Sequence, residues 1–173
     1  QPLDAEARLV TATCGGIRVS SVYVPNGREL DNDHYQYKLA WMKRLIAHLN
    51  ADTSSSDAVV VTGDYNIAPD DIDVYNPADF IGATHVSEAE RQVLRDLEAW
   101  GMVDVFRQHH PDDKLFSWWD YRMAGFRRNL GLRIDLVLIS EALKSRAAAS
   151  GIEREPRTWE RPSDHAPVWV ELG

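Results

Sequence analysis

One cysteine, Cys14, stands among 173 residues. No intrachain disulfide can form from it, and neither a thiolate zinc site nor a Cys-x-x-Cys redox pair is possible. Cys14 lies in an apolar run just before Gly15-Gly16, where a packed core thiol is expected. Also lacking is any run approaching the roughly 20 apolar residues of a membrane span. No basic segment followed by an apolar stretch opens the chain. The expectation is a soluble, cytoplasmic protein with no membrane partner. Positive charge is scarce: 19 Lys and Arg against 27 Asp and Glu leave a net charge of -8, which by itself argues against nonspecific nucleic-acid binding. The acids, however, bunch in Asp70 to Asp79 and Glu88 to Glu98, whereas Arg122, Arg127, Arg128 and Arg133 crowd one aromatic stretch. An acidic total thus leaves room for a locally basic groove.

What is present reads as one α/β unit without internal repeats or an interdomain linker. Arg8 to Cys14, a Gly15-Gly16 turn and Ile17 to Val24 form a predicted hairpin. Tyr35, Leu39, Met42, Ile46 and Leu49 recur every three or four residues, which predicts an amphipathic helix from His34 to Asn50. After the polar loop Asp52 to Asp57, the unbroken run Ala58 to Thr62 suggests a strand buried on both faces. Ser87 and Glu90 form a capping-box pair that starts a second helix, ended by Gly101, with Val93, Leu94 and Leu97 inward. Ile134 to Ile139 is a further strand. An alanine-rich helix is expected from Glu141 to Gly151 with Ser140 as its cap, and a last strand covers Val168 to Leu172. Hairpins mixed with crossovers favour a layered α/β sandwich over a purely parallel sheet.

Four short patterns carry candidate chemistry. Gly63-Asp64-Tyr65-Asn66 follows the buried strand at its carboxyl end, where α/β folds expose functional groups. Asp64 can exchange a proton with water or a leaving oxygen and the Asn66 amide can hold a phosphate or the water, although the same residues form ordinary turns. Ser163-Asp164-His165 enters the last strand, pairing a potential magnesium ligand with a donor for a phosphate oxygen. In Arg133-Ile134-Asp135 an acid interrupts an apolar strand, which is costly unless it is paired. His165 is the natural partner, since a carboxylate on one imidazole nitrogen fixes the tautomer and aims the other at substrate. The alternative is an Asp135 facing solvent on an edge strand. Tyr23-Val24-Pro25-Asn26-Gly27 ends the hairpin, with a phenol and an amide that can contact phosphate or serve structure alone.

Together with Phe116 to Arg122 and Asn129 to Asp135, these patterns resemble the endonuclease/exonuclease/phosphatase superfamily, in its exodeoxyribonuclease III and abasic-endonuclease branch, from about Leu9 to Leu172. The resemblance implies a DNase I-like four-layer α/β/β/α sandwich and a DNA repair hydrolase using Mg2+, with Mn2+ as a substitute. It would be associated with the bacterial nucleoid through DNA. Exonuclease, abasic-site endonuclease and 3′-phosphatase activities are all implied. Tyr23 would contact the scissile phosphate, Asp64 would exchange a proton and Asn66 would position phosphate or water. Asp135 would orient His165, His165 would bind a phosphate oxygen, and Asp164, with Asp64 and Asn66, would hold the metal. Trp118, Leu132 and Ile134 would wall a pocket for an extruded baseless sugar. Asn26, Arg28, Asn76 and Arg122 complete the implied contacts to double-stranded DNA with abasic sites or 3′ ends.

Departure from the family pattern is concentrated at the front, where an early asparagine and a metal-binding glutamate have no counterpart. Glu6 and Glu29 lie in unmatched contexts. Residues 1 to 173 are therefore expected to be the C-terminal portion of a single domain. That portion should be inactive alone and completed by its N-terminal part or by another chain. Rival readings are a superfamily phosphoesterase for RNA or lipid headgroups, and a noncatalytic DNA-binding module.

Overall fold

The computed structural model describes residues 4 to 173. Strands β1 (Leu9–Cys14) and β2 (Ile17–Tyr23) form the predicted hairpin, in register from Leu9 opposite Val22 to Cys14 opposite Ile17. Gly15 and Gly16 both have positive φ, at 56° and 81°, as a two-residue turn that follows the strand twist requires. Cys14 is exposed rather than packed in a core. The cause is that β1 is an edge strand, and the face shared by Val10, Ala12 and Cys14 is open to solvent.

Helix α1 (Asp33–Asp52) is capped by the Asn32 side chain, which accepts from the His34 amide. It buries Tyr35, Lys38, Trp41, Met42, Leu45 and Leu49, so Leu39 and Ile46 flank the buried stripe rather than forming it. The chain then crosses to β3 (Val59–Asp64), parallel to β2. Val59 and Val61 pack with Trp41, Met42 and Leu45 of α1, while Val60 faces a second cluster of Val105, Val137, Ile139 and Leu143. The strand is thus covered on both sides, and each fully buried aliphatic side chain contributes about 1.5–3 kcal/mol.

One-turn 3-10 helices at Asp71–Asp73 and Pro77–Phe80 lead to α2 (Glu88–Trp100), with its Ser87–Glu90 capping box and left-handed Gly101. β4 (Met102–Asp104) and the short α3 (Val105–His109) follow, and then the two-residue pair β5 (Trp118–Trp119) and β6 (Gly131–Leu132). β7 (Asp135–Ser140) completes a five-stranded sheet of order β1-β2-β3-β7-β4.

The expected alanine-rich helix is absent. Glu141–Arg146 is a 3-10 helix, and Ala147–Ile152 is β8, antiparallel to β9 (Val168–Leu172). Ser140 does not cap a helix; its hydroxyl donates to the Asp57 carbonyl and accepts from the Val59 amide. The ladder to β9 overrides alanine's helical preference, and Gly151 leaves room for the Trp169 ring. Helices α1 and α2, the five-stranded sheet and the β8–β9 pair stack in that order, the mixed α/β sandwich expected from the sequence.

Register brings three site residues into one row. Tyr23 pairs with Asp64 across β2 and β3, and Asp64 pairs with Asp135 across β3 and β7. Gly63 makes the row possible: its φ is 141°, and a Cβ there would lie 2.0 Å from the Val22 carbonyl oxygen. Gly63→Ala should therefore destabilise the fold by at least the ~1–3 kcal/mol typical of overpacking. Urea denaturation reads this directly, and a wild-type midpoint would contradict the steric argument.

Candidate active site

Asp64 ends β3, and the chain turns sharply beyond it because Asn66 adopts φ 51°. Asp64 Oδ1 accepts from the Asn66 backbone amide at 2.8 Å, and Oδ2 accepts from Asn66 Nδ2 at 3.0 Å. The same Nδ2 donates to the Val24 carbonyl at 2.9 Å, while Asn66 Oδ1 accepts from Asn26 Nδ2 at 3.0 Å. Both side-chain amide hydrogens of Asn66 are thus committed inside the protein. Asn66 fixes Asp64, and the second amide hydrogen of the exposed Asn26 is the free donor. Burial and the adjacent Asp135 carboxylate push the Asp64 carboxyl up to about 6.

Asp135 does not face solvent on an edge strand. β7 lies between β3 and β4, and Asp135 Oδ2 accepts from His165 Nδ1 at 2.8 Å. Burial works against charge on His165. The hydrogen bond to Asp135, with the negative charges of Asp135, Asp64 and Asp164, outweighs it and raises the imidazole above its ordinary value. The fully buried Ser117 hydroxyl accepts from the backbone amides of both Ile134 and Asp135, fixing the entry to β7. Asp164 is held by β5, since its Oδ2 accepts from Trp118 Nε1 and its carbonyl from the Trp119 amide, both at 3.0 Å.

These groups share a cleft of about 220 Å³ lined by Tyr23, Asn26, Asp64, Asn66, His85, Trp118, Ile134, Asp164 and His165. A larger groove of about 690 Å³ lies at Asp73, Asp104, Arg107 and Arg133, but there the charged groups neutralise one another in a buried ion cluster. Tyr23 stands at the cleft rim, 54% exposed, under the Arg8 guanidinium. Other expected contacts lie elsewhere. Arg28 and Asn76 are exposed outside the cleft lining, and the Arg122 side chain is 86% exposed and paired with Asp120. Leu132 is 1% exposed and packs with Ala68, Val74 and Ile134, because pairing of β6 with β5 turns it into the core. It backs the wall that Trp118 and Ile134 form.

No sequence motif marks His85, which the structure brings into the cleft lining. Its Nδ1 lies 2.6 Å from the Asn66 carbonyl oxygen, which only accepts, so Nδ1 carries the hydrogen and neutral His85 leaves Nε2 as an acceptor. Below it Lys38 Nζ donates to Glu90 Oε1 at 2.5 Å and to the Asn66 carbonyl at 2.6 Å. Glu90 Oε1 also accepts from Thr84 Oγ1 and the His85 amide, and Oε2 from the Ser87 amide and hydroxyl. Both ionic side chains are fully buried. The one clue was a lysine on the apolar stripe between Tyr35 and Trp41.

Burial and the Lys38 charge push His85 down to about 4. The unfolded imidazole, at 6.5, takes a proton first, so stability present above pH 6.5 is lost as pH falls toward 4, by up to about 3 kcal/mol. Denaturation of wild type and His85→Gln at pH 7 and pH 4.5 should show a smaller acid loss in the variant. Equal losses would contradict the assignment.

Carboxylates, amides and an imidazole meeting at the strand ends of a layered α/β sandwich define the DNase I-like class of fold. The chain belongs to the Endonuclease/Exonuclease/phosphatase family, whose sequence profile matches residues 1–165. It is 34% identical to exodeoxyribonuclease III of Haemophilus influenzae, covering 98% of this chain and 68% of that protein. The structure of an AP endonuclease from Archaeoglobus fulgidus superposes with a TM-score of 0.92 at 36% identity, over 95% of this chain and 65% of that one. A 3′ phosphatase from Neisseria bound to a product DNA hairpin gives 0.92 at 39% identity, over 98% and 66%. The chain thus spans about two thirds of the length of these relatives.

Proposed function

We propose that this chain carries the phosphate-handling side of a DNA repair phosphoesterase that acts at 3′ ends and abasic sites. The observation that carries this reading is the Tyr23–Asp64–Asp135 row with His165 on Asp135, which brings Tyr23, Asp64, Asp164 and His165 to the lining of one cleft with Asp135 behind His165. His165, its Nδ1 engaged by Asp135 and its protonated form favoured, presents Nε2–H to a nonbridging phosphate oxygen. Asp64, poised near 6, takes a proton from the attacking water or returns one to the leaving oxygen. Tyr23 and Asn26 hold further phosphate oxygens. The exposed Arg122, Arg127 and Arg128 supply positive charge for the duplex despite the acidic total. The relative bound to a product DNA hairpin supports DNA as the ligand class.

Among the described residues no group of three or more His, Cys, Asp or Glu could hold a metal ion. Both Asp64 oxygens accept from Asn66, and one Asp164 oxygen accepts from Trp118. The described donors of this chain supply, in this reading, only part of a divalent-cation site, since such sites take about six or more oxygen ligands. In this reading Asp164, with Asp64 and Asn66, contributes part of a Mg2+ site that Mn2+ can also fill. The remaining ligands are supplied by polypeptide beyond these 173 residues, as the N-terminal portion of the same domain or another chain, and by the substrate.

The purified chain with Mg2+ is accordingly proposed to hydrolyse DNA poorly. The same chain joined to the N-terminal third of a relative should act on a duplex bearing a 3′-phosphate, an abasic site or a recessed 3′ end. Hydrolysis of RNA or a lipid headgroup ester with DNA left intact would overturn the reading, as would full turnover by the chain alone for its incompleteness.

A further inference from the structure

Arg157 lies in a 3-10 helix at Glu155–Thr158, six residues before Ser163, and is 5% exposed. Its charge is met by aromatic faces and a carbonyl. The guanidinium carbon is 5.8 Å from the Trp119 ring centroid, 5.6 Å from that of Tyr121 and 5.0 Å from that of Phe126, and one terminal nitrogen donates to the Ser163 carbonyl. Its Nε is buried without a hydrogen-bond partner. A buried cation costs free energy that ring faces offset only in part, so a side chain held this way marks a geometric constraint more than a stability gain.

The constraint joins two pieces of the cleft. Trp119, Tyr121 and Phe126 belong to the segment from 118 to 130 that also presents exposed Arg122 and Met123. Ser163 opens the turn carrying Asp164 and His165. Further bonds cross the same seam: Tyr121 Oη donates to the Pro162 carbonyl at 2.7 Å, the Trp119 amide to the Asp164 carbonyl at 3.0 Å and the Ala166 amide to the Ser117 carbonyl at 2.7 Å. Trp118 Nε1 reaches the Asp164 carboxylate itself. Among the described residues only Arg157 joins the aromatic segment to the Ser163 backbone through one side chain, with its planar guanidinium against the rings.

We propose that Arg157 is a positioning residue for Asp164 and His165. It locks their turn to the aromatic segment, so that a duplex seated on the exposed tip of that segment sets the placement of both groups. This rests on the DNA phosphoesterase reading for its consequence, but the coupling is a property of the fold. Lysine can donate to the Ser163 carbonyl but cannot span three rings with a planar fork.

The test is hydrogen exchange and indole NMR on Arg157→Lys, Arg157→Met and the milder Tyr121→Phe, which keeps its ring but loses the bond to Pro162. In Arg157→Lys the Trp119 and Ala166 amides should exchange at least about tenfold faster, with a displaced Trp118 indole resonance, while Val61 and Leu138 stay within about twofold. Tyr121→Phe should move the same signals less. If Arg157→Met fails to fold, the other two variants decide. Uniform acceleration throughout the sheet, or no change at the turn, overturns the proposal. In the hydrolysing assembly Arg157→Lys should lower kcat with KM nearly unchanged. If the wild-type assembly hydrolyses no DNA phosphoester, the functional reading fails while the exchange result still stands or falls alone.

Discussion

In the completed assembly of the proposed function, Asp64→Asn should reduce DNA phosphoester hydrolysis by about 10²- to 10⁴-fold, the range for loss of a positioned acid–base group, while making the fold of this chain more stable near neutral pH. The two effects share a cause. Asp64 sits at about 6 because burial and Asp135 resist its ionisation, and an unfolded carboxyl ionises near 3.8. As pH rises between those values the unfolded state loses its proton first. Wild type therefore loses up to about 3 kcal/mol across that window. Asparagine carries no such penalty, although its amide would face the Asn66 amide, donor against donor, at a cost of about 1–2 kcal/mol. A net gain of about 1–2 kcal/mol is expected at pH 7, vanishing or reversing at pH 4. Turnover on a 3′-phosphorylated duplex and urea melts at both pH values check this. Retained activity, or a variant less stable at pH 7 than at pH 4 relative to wild type, would count against the role of Asp64.

Glu90→Ala carries the largest expected loss of stability, about 3–5 kcal/mol, the usual cost of leaving one half of a buried ion pair. It removes the acceptor for Lys38 Nζ, Thr84 Oγ1, the His85 amide and both donors of Ser87. The effect should reach the cleft, because Lys38 and His85 both donate to the carbonyl of Asn66, whose strained backbone in turn aims Asp64. Lys38→Met combined with Glu90→Leu should recover much of the stability, since no charge is then left unpaired. Urea midpoints of the single and double variants provide the measurement, and a single-variant loss below about 1 kcal/mol would show the pair to be hydrated rather than buried.

Legibility from sequence followed the range of the interaction. The β1–β2 hairpin, β3 and α2 were readable because turn chemistry, an unbroken valine run and a capping box are local signals. The Asp135–His165 contact was readable because a carboxylate within an apolar strand demands a partner. Failures arose where distant packing decides. Ala147–Ile152 has helical composition but is captured by β9, and Cys14 is apolar in context but lies on an edge strand. The family resemblance implies Leu132 in the pocket wall, but resemblance carries no side-chain direction, and the β5–β6 pairing packs it behind that wall. The Asn66 amide is not free to touch substrate, because one hydrogen goes to Asp64 two residues before it and the other to the Val24 carbonyl just beyond the end of β2. His85 and Arg157 sit in no pattern that spacing can detect.

In the proposed function Asp64, Asp164 and His165, with Asp135 behind His165, surround the position of a DNA phosphate. Isotope-edited NMR of the chain titrated with a duplex ending in a 3′-phosphate addresses this placement without requiring turnover. The His165 imidazole and the Asn26 side-chain amide should shift, and should do so more weakly with the same duplex ending in a 3′-hydroxyl. Perturbations centred on the Asp73–Arg133 groove, with His165 and Asn26 unmoved, would contradict it.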